Sequence, residues 1–203
     1  MRKFVISALV VLSLCGGIGV LSAPVWAESD KELNDEVKTL SSQIGKDKCN
    51  WRLFGERGRI LILLKKYDEA ADDLRIALSL NRRWADGDGL MASALICKKD
   101  FKEAMIYIDR ALSLKNHPRP DAMLALKSLC LHELGRDRES VQAAKESLKI
   151  NPNNYDACYW GAAALNNLKT DKPEVLRLLH RCAEINPADT KVPTLIKALE
   201  GEQ

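Results

Sequence analysis

The sequence predicts an all-α chain: a solenoid of about four helix–turn–helix repeats with a capping helix at each end. Three observations predict it. Leucine returns at Leu61, Leu95, Leu131 and Leu165, at intervals of 34, 36 and 34 residues. Small residues return on the same intervals at Gly58, Ala92, Ser128 and Ala162, and a second column follows at Ala70, Ala104, Ser140 and Val175. Asn151-Pro152 and Asn186-Pro187 close the last two copies. A period of this length is the signature of stacked supersecondary units, and a proline ring stops a helix because it has no N–H to donate.

The N-terminal residues read as an address. Arg2 and Lys3 are basic, no charged side chain occurs from Phe4 to Ala27, and Val25-Trp26-Ala27 precedes the acidic Glu28-Ser29-Asp30. A basic start, an apolar run and a small residue at the cut predict a signal peptide over residues 1–27, cleaved after Ala27. Two other fates stay open. The uncharged run is long enough to span a bilayer if it is retained, although Gly16, Gly17, Gly19 and Pro24 weaken it as a helix. Leu12-Ser13-Leu14-Cys15 partly matches a lipidation box, but Leu14 is large where a small residue is wanted before Cys15.

Residues 28–50 are read as an N-terminal cap and linker. Leu33, Val37, Leu40 and Ile44 share one face of a helix over Lys31 to Ile44. The repeats follow at 51–84, 85–118, 121–154 and 155–189. Within each, the first two small columns stand twelve residues apart in copies one to three. Two antiparallel helices approach closely only where both carry small side chains. A third small column, Ala77, Ala111, Ser147 and Cys182, is expected to let each second helix pack on the first helix of the next copy. Asp100-Phe101-Lys102-Glu103 has the pattern of a capping box and marks a helix start. Residues 190–203, with Val192, Leu195, Ile196 and Leu199, are read as the C-terminal cap, since an open-ended stack needs its last face covered.

These columns resemble the tetratricopeptide repeat family. Copy one supplies Phe54, Gly58, Leu61, Tyr67, Ala70, Leu74 and Ala77. Copy two supplies Ala92, Leu95, Phe101, Ala104, Ile108 and Ala111. Copy three departs at Asp137, where an aromatic is usual, and at Ala144, where a large residue is usual. Copy four carries one extra residue near Lys172-Pro173. The resemblance runs from Trp51 to about Asp189. It implies a right-handed superhelix whose first helices line a concave face that receives a segment of another protein. On that face it places Arg52, Arg59, Asp86, Ser93, Leu129, His132, Asp156, Tyr159 and Asn166. The carboxylate clamp of some family members is missing, because the matching early places of copy one hold Gly55 and Arg59. Arg52, Arg57 and Arg59 are read as favouring an acidic segment, or equally as a solvated face.

The remaining chemistry is sparse. Formal net charge is +3 and two of those charges sit in the leader, so the balance lacks the basic stripe that nucleic-acid binding requires. His117, His132 and His180 are isolated, and His132-Glu133 has no second histidine to complete a zinc site. No phosphate loop or nucleophile elbow occurs, so neither cofactor nor metal is expected. Beyond the leader five cysteines remain, Cys49, Cys97, Cys130, Cys158 and Cys182, none in a Cys-x-x-Cys pair. Cys97, Cys130, Cys158 and Cys182 are read first as small buried hydrophobes. A sharper reading joins Cys158 to Cys182 as a disulfide near the open end of the fourth hairpin.

Together these readings describe a non-catalytic adaptor or scaffold for another protein or peptide segment, exported and therefore periplasmic or secreted. A membrane contact enters only if the leader is retained or lipidated, which would make the protein a tethered, pilotin-like assembly factor of an envelope or secretion complex. A thiol or redox protein is the third reading.

Overall fold

The computed structural model describes residues 30–115 and 117–201. The leader, its cleavage site and Cys15 lie outside them. Ten helices are described: α1 (Asp30–Lys46), α2 (Trp51–Leu63), α3 (Tyr67–Leu80), α4 (Ala85–Cys97), α5 (Phe101–Ser113), α6 (Pro120–Glu133), α7 (Asp137–Ile150), α8 (Tyr155–Asn167), α9 (Lys172–Ile185) and α10 (Lys191–Gly201). No strand occurs among the described residues, and none of these helices is long and apolar enough to cross a membrane. The contacts divide the chain into two units, residues 30–107 and 108–201.

Four of the helix-to-helix turns share one device. Lys65, Lys99, Gly135 and Lys169 adopt left-handed backbone, with φ of 59°, 65°, 72° and 51°. The next residue of each turn returns its N–H to the leucine column: Lys66 to Leu61, Asp100 to Leu95, Arg136 to Leu131 and Thr170 to Leu165. This is the Schellman closure, which satisfies carbonyls that the helix end leaves open. Only Gly135 has the residue type that takes this conformation without a steric cost. The extra residue of copy four is absorbed here. Asp171 is also left-handed at φ 51° and caps α9 by accepting from the Glu174 N–H at 3.2 Å.

In the first unit the small columns meet as expected. A Cβ on Gly58 would stand 2.9 Å from Leu74 Cγ and 3.3 Å from the Ala70 carbonyl oxygen, so α2 and α3 touch at Gly58. Trp84 fills the end of the hairpin. A Cβ on Gly55 or on Gly87 would come within 2.6 Å or 2.3 Å of its ring. The N-terminal cap α1 seats Leu33 and Leu40 against Ile60 of α2. Ile44 joins Phe54 and Ala77.

In the second unit Ser128 of α6 and Ser140 of α7 occupy the same two columns. Here the third small column corrects an expectation. Ser147 donates to the Asp121 carbonyl at 2.8 Å, and Cys182 donates weakly to the Tyr155 carbonyl at 3.7 Å. Ala77 clusters with Phe54. At Ala77, Ser147 and Cys182 this column therefore packs the second helix on the start of its own first helix. The close approach between copies falls elsewhere, where a Cβ on Gly161 of α8 would lie 3.0 Å from Ala144 Cβ of α7. The small Ala144, a departure from the family pattern, is what admits α8. Asp121 ties the hairpin to the following loop by accepting from Asn151 Nδ2 at 2.9 Å and Asn154 Nδ2 at 3.1 Å. Burial works to raise its pKa, but these bonds together with the Ala122 N–H hold it below the ordinary carboxylate value. The C-terminal cap α10 buries Val192 and Ile196 in the core of α8 and α9.

Candidate functional site

The first helices carry the expected binding residues, and the structure sorts them. On α2 of the first unit, Arg52 is exposed and its guanidinium lies 4.7 Å from the centre of the Trp51 ring. Arg59 is held by Glu56, with Nε and Nη2 donating at 3.0 and 2.6 Å. On α4, Asp86 is exposed. Ser93 is not available: it is buried and donates to the Gly89 carbonyl at 2.8 Å. Arg57 is committed as well. It forms a bidentate pair with the buried Asp73 at 2.6 and 2.7 Å and donates to Ser41 of α1 at 2.9 Å. Its hydrogen bond to Asp73 is the main cause of a raised pKa, against the burial that opposes it. The expected trio of free arginines is thus reduced, because the fold uses Arg57 to neutralise a buried carboxylate.

On α6 and α8 of the second unit the predicted residues come together more closely. Leu129 is the exception: it is buried in the hairpin core and presents nothing to solvent. The His132 ring lies 5.5 Å from that of Trp160, and His132 Nδ1 is 2.6 Å from Asp137 Oδ1. Trp160 meets Tyr159 edge to face at 5.3 Å, and Tyr159 stacks with Tyr155 at 6.3 Å. The Tyr155 hydroxyl donates to Asp189. Burial first, then that bond, raises the Tyr155 pKa. Asp156, Tyr159, Trp160 and Ala163 fall on one helical face at i, i+3, i+4 and i+7. Burial lifts the Asp156 pKa from 3.8 to about 7, against a partial pull down from Arg119. Asn166 is exposed at the far end of α8. Trp160 was not singled out from the sequence, although its place four residues after Asp156 puts it on this face. Its Nε1–H is buried without a hydrogen-bond partner.

A second feature was missed altogether. Helices α7, α8 and α9 enclose a cleft of about 450 Å³. Its floor is apolar, with Val141, Ala144, Leu165 and Leu178, and Lys145, Lys149, Arg177 and Arg181 stand at its wall with Glu174. Lysines at i, i+4 on one second helix and arginines at i, i+4 on the next were the available signal. Cys158 lines the cleft. The expected disulfide is not formed in this structure: Cys158 and Cys182 are both free thiols buried in one core cluster. Cys130 is buried too, and burial pushes its thiol up to about 12. Cys49 is free and exposed. Among the described residues no group of three or more His, Cys, Asp or Glu side chains is placed to hold a metal ion.

Comparison with known proteins agrees with this architecture. A tetratricopeptide repeat model matches residues 122–154, within α6, α7 and the turn that follows. No curated protein matches the sequence. Among solved structures the chain is similar to YrrB, described as a TPR protein with an unusual peptide-binding site. The TM-score is 0.67 at 18% identity, covering 83% of this chain and 84% of that one. It is similar to PilW, described as a widely conserved type IV pilus biogenesis factor, with TM-score 0.69, 20% identity and coverage of 76% and 70%. It is also similar to TTC0263, a thermophilic TPR protein of Thermus thermophilus, with TM-score 0.64, 12% identity and coverage of 83% and 91%. The shared property at these identities is the fold, an all-α solenoid of the tetratricopeptide type.

Proposed function

We propose that this protein is a non-catalytic adaptor, exported through its N-terminal leader, that holds a polypeptide segment of another protein against the first-helix face of α6 and α8. The observation that carries the reading is the partly exposed pair His132 and Tyr159, held by the buried Trp160 between them, with the half-buried Asp156 on the same helical face as Tyr159. Aromatic rings offer a large contact area at a low entropic cost, which is why they anchor interfaces. The same fold in YrrB, described as having a peptide-binding site, supports the class of ligand.

The test is co-purification from envelope extract with the tagged chain, identifying bound proteins by mass. Tyr159→Ala and Asp156→Arg are expected to abolish capture of the same protein that the unaltered chain retains, with helicity by circular dichroism unchanged. Capture that survives both changes overturns the assignment of this face. N-terminal sequencing tests the export reading: a chain beginning at Glu28 supports cleavage, and a retained or acylated leader supports the tethered assembly factor.

A further inference from the structure

Helices α7 and α9 both pack against α8 and leave a cleft of about 450 Å³ above it. Its floor on α8 is Cys158, Gly161 and Leu165, spaced i, i+3 and i+7. At 3.6 residues per turn this stripe lies about opposite the stripe of Asp156, Tyr159 and Trp160. The cleft and the first-helix face are therefore separate surfaces of one helix. Gly161 keeps the floor bare where the walls converge: a Cβ there would meet Ala144 Cβ at 3.0 Å and Leu178 Cδ1 at 3.6 Å. Both walls are amphipathic. Val141, Ala144 and Leu148 of α7 and Leu178 of α9 continue the apolar floor, and Lys145, Lys149, Arg177 and Arg181 stand above them. Four cationic side chains thus face one carboxylate, Glu174, and Arg177 already holds that one through two bonds of 2.6 Å. Arg181 donates to Asn153 at 2.5 Å and to Glu184 at 3.0 Å. Lys145 and Lys149 are exposed and have no ion-pair partner among the described residues. The bond to Arg177, and with it the charge of Lys145 from the facing wall, hold the Glu174 carboxyl below its ordinary pKa against the burial that opposes them.

We propose that this cleft binds a single-chain anionic amphiphile, such as a medium-chain fatty carboxylate, with its alkyl chain along the apolar floor and its head group at Lys145 and Lys149. Charge complementarity selects an anion, and the two lysines meet it without giving up an existing partner. The floor selects an alkyl chain. Its side chains offer no hydrogen-bonding group beyond the Cys158 thiol. An extended peptide laid there would bury N–H and C=O groups unpaired. A helix satisfies its own backbone, but it is about 10 Å across, so the cleft takes no more than roughly one turn of it. An alkyl chain has no polar group to satisfy and gains about fourfold in affinity for each methylene it buries. This site is independent of the polypeptide-binding face on the other side of α8.

The experiment titrates the full-length chain with decanoate, below its micellar concentration and at low salt, by calorimetry. Saturable binding is expected, tighter than for octanoate by roughly tenfold for the two added methylenes. Decyltrimethylammonium, with the same chain and the opposite charge, is expected not to bind. The double change Lys145→Glu and Lys149→Glu, at exposed positions, is expected to weaken decanoate by roughly fivefold or more with helicity unchanged. Leu148→Gln, in the apolar wall, is expected to weaken it as well. No binding of decanoate, or equal binding by the charge-reversed variant, overturns the proposal. Equal binding of tetraglutamate also overturns it and assigns the wall to an acidic peptide. Binding of phosphatidylglycerol vesicles without binding of monomeric decanoate overturns it in favour of a membrane surface.

Discussion

The Ser128 and Ser140 hydroxyls lie 2.9 Å apart across the α6–α7 hairpin, and Ser140 also donates to the Ser128 carbonyl at 2.7 Å. The twelve-residue interval that brings them together is the one that seats Gly58 against Ala70 in the first hairpin. Small size is the requirement at these positions, and a hydroxyl is admitted only when its partner satisfies it. Ser140→Ala removes the partner of a buried hydroxyl and is expected to cost about 1–2 kcal/mol in urea unfolding. The double change with Ser128→Ala is expected to cost no more than the single one. Strictly additive costs would contradict the coupling.

Ala77 is fully buried against Phe54 and Ile44. Ala77→Leu is expected to destabilise by roughly 1–3 kcal/mol through overpacking. Arg59→Ala removes an ion pair to the exposed Glu56 and a largely covered guanidinium whose Nη1 has no partner, and is expected to change stability by less than about 1 kcal/mol. Thermal melts with the opposite order would show the column to be misassigned.

Arg57 neutralises Asp73, whose side chain is 6% exposed. Arg57→Ala strands a buried carboxylate and is expected to cost about 2–4 kcal/mol. Replacing Asp73 by Ala in the same chain is expected to restore part of that loss. A double-mutant cycle with no coupling energy would remove the pair from the account of how α1 is held.

Three of the four Schellman turns place a lysine at positive φ. Lys65→Gly, Lys99→Gly and Lys169→Gly are each expected to raise stability by about 0.5–1 kcal/mol. Release of left-handed strain outweighs the added freedom of the unfolded chain. Lower midpoints in denaturant for all three variants would mean that the lysine side chains themselves support the turns.

Asp156 binds its proton more tightly in the folded chain, at about 7, than at its ordinary value of 3.8. The native state then holds one more proton at this group between these values, so the contribution of Asp156 to stability is greatest below about pH 4 and falls as pH rises to about 7. Asp156→Asn is expected to stabilise at pH 8 by roughly 1–2 kcal/mol, a figure reduced for the solvent that the carboxyl still meets. The difference is expected to vanish below about pH 4. An equal difference at both pH values would place the penalty elsewhere.

The helical hairpins were legible because their signals are local. Leu61 and its successors recur where each Schellman turn needs a carbonyl, and small residues recur where two helices cross. Site residues were legible only in part. Asp156 and Tyr159 share a partly exposed helical face that spacing alone reveals, whereas Ser93 and Leu129 sit at similar positions and are covered. Spacing along one helix gives an angle around its axis, not which neighbour lies against that angle.

The residues themselves determined that this chain winds into paired helices, where each pair turns, and where those pairs must carry small side chains. These follow from hydrogen-bond closure and steric contact within a few turns of chain. Only the packed structure decided that Arg57 belongs to Asp73, that Ala144 admits Gly161, and that Cys158 lines a cleft with basic side chains at its wall. Those outcomes depend on desolvation and on contacts between helices distant in sequence, and neither is written in the repeat.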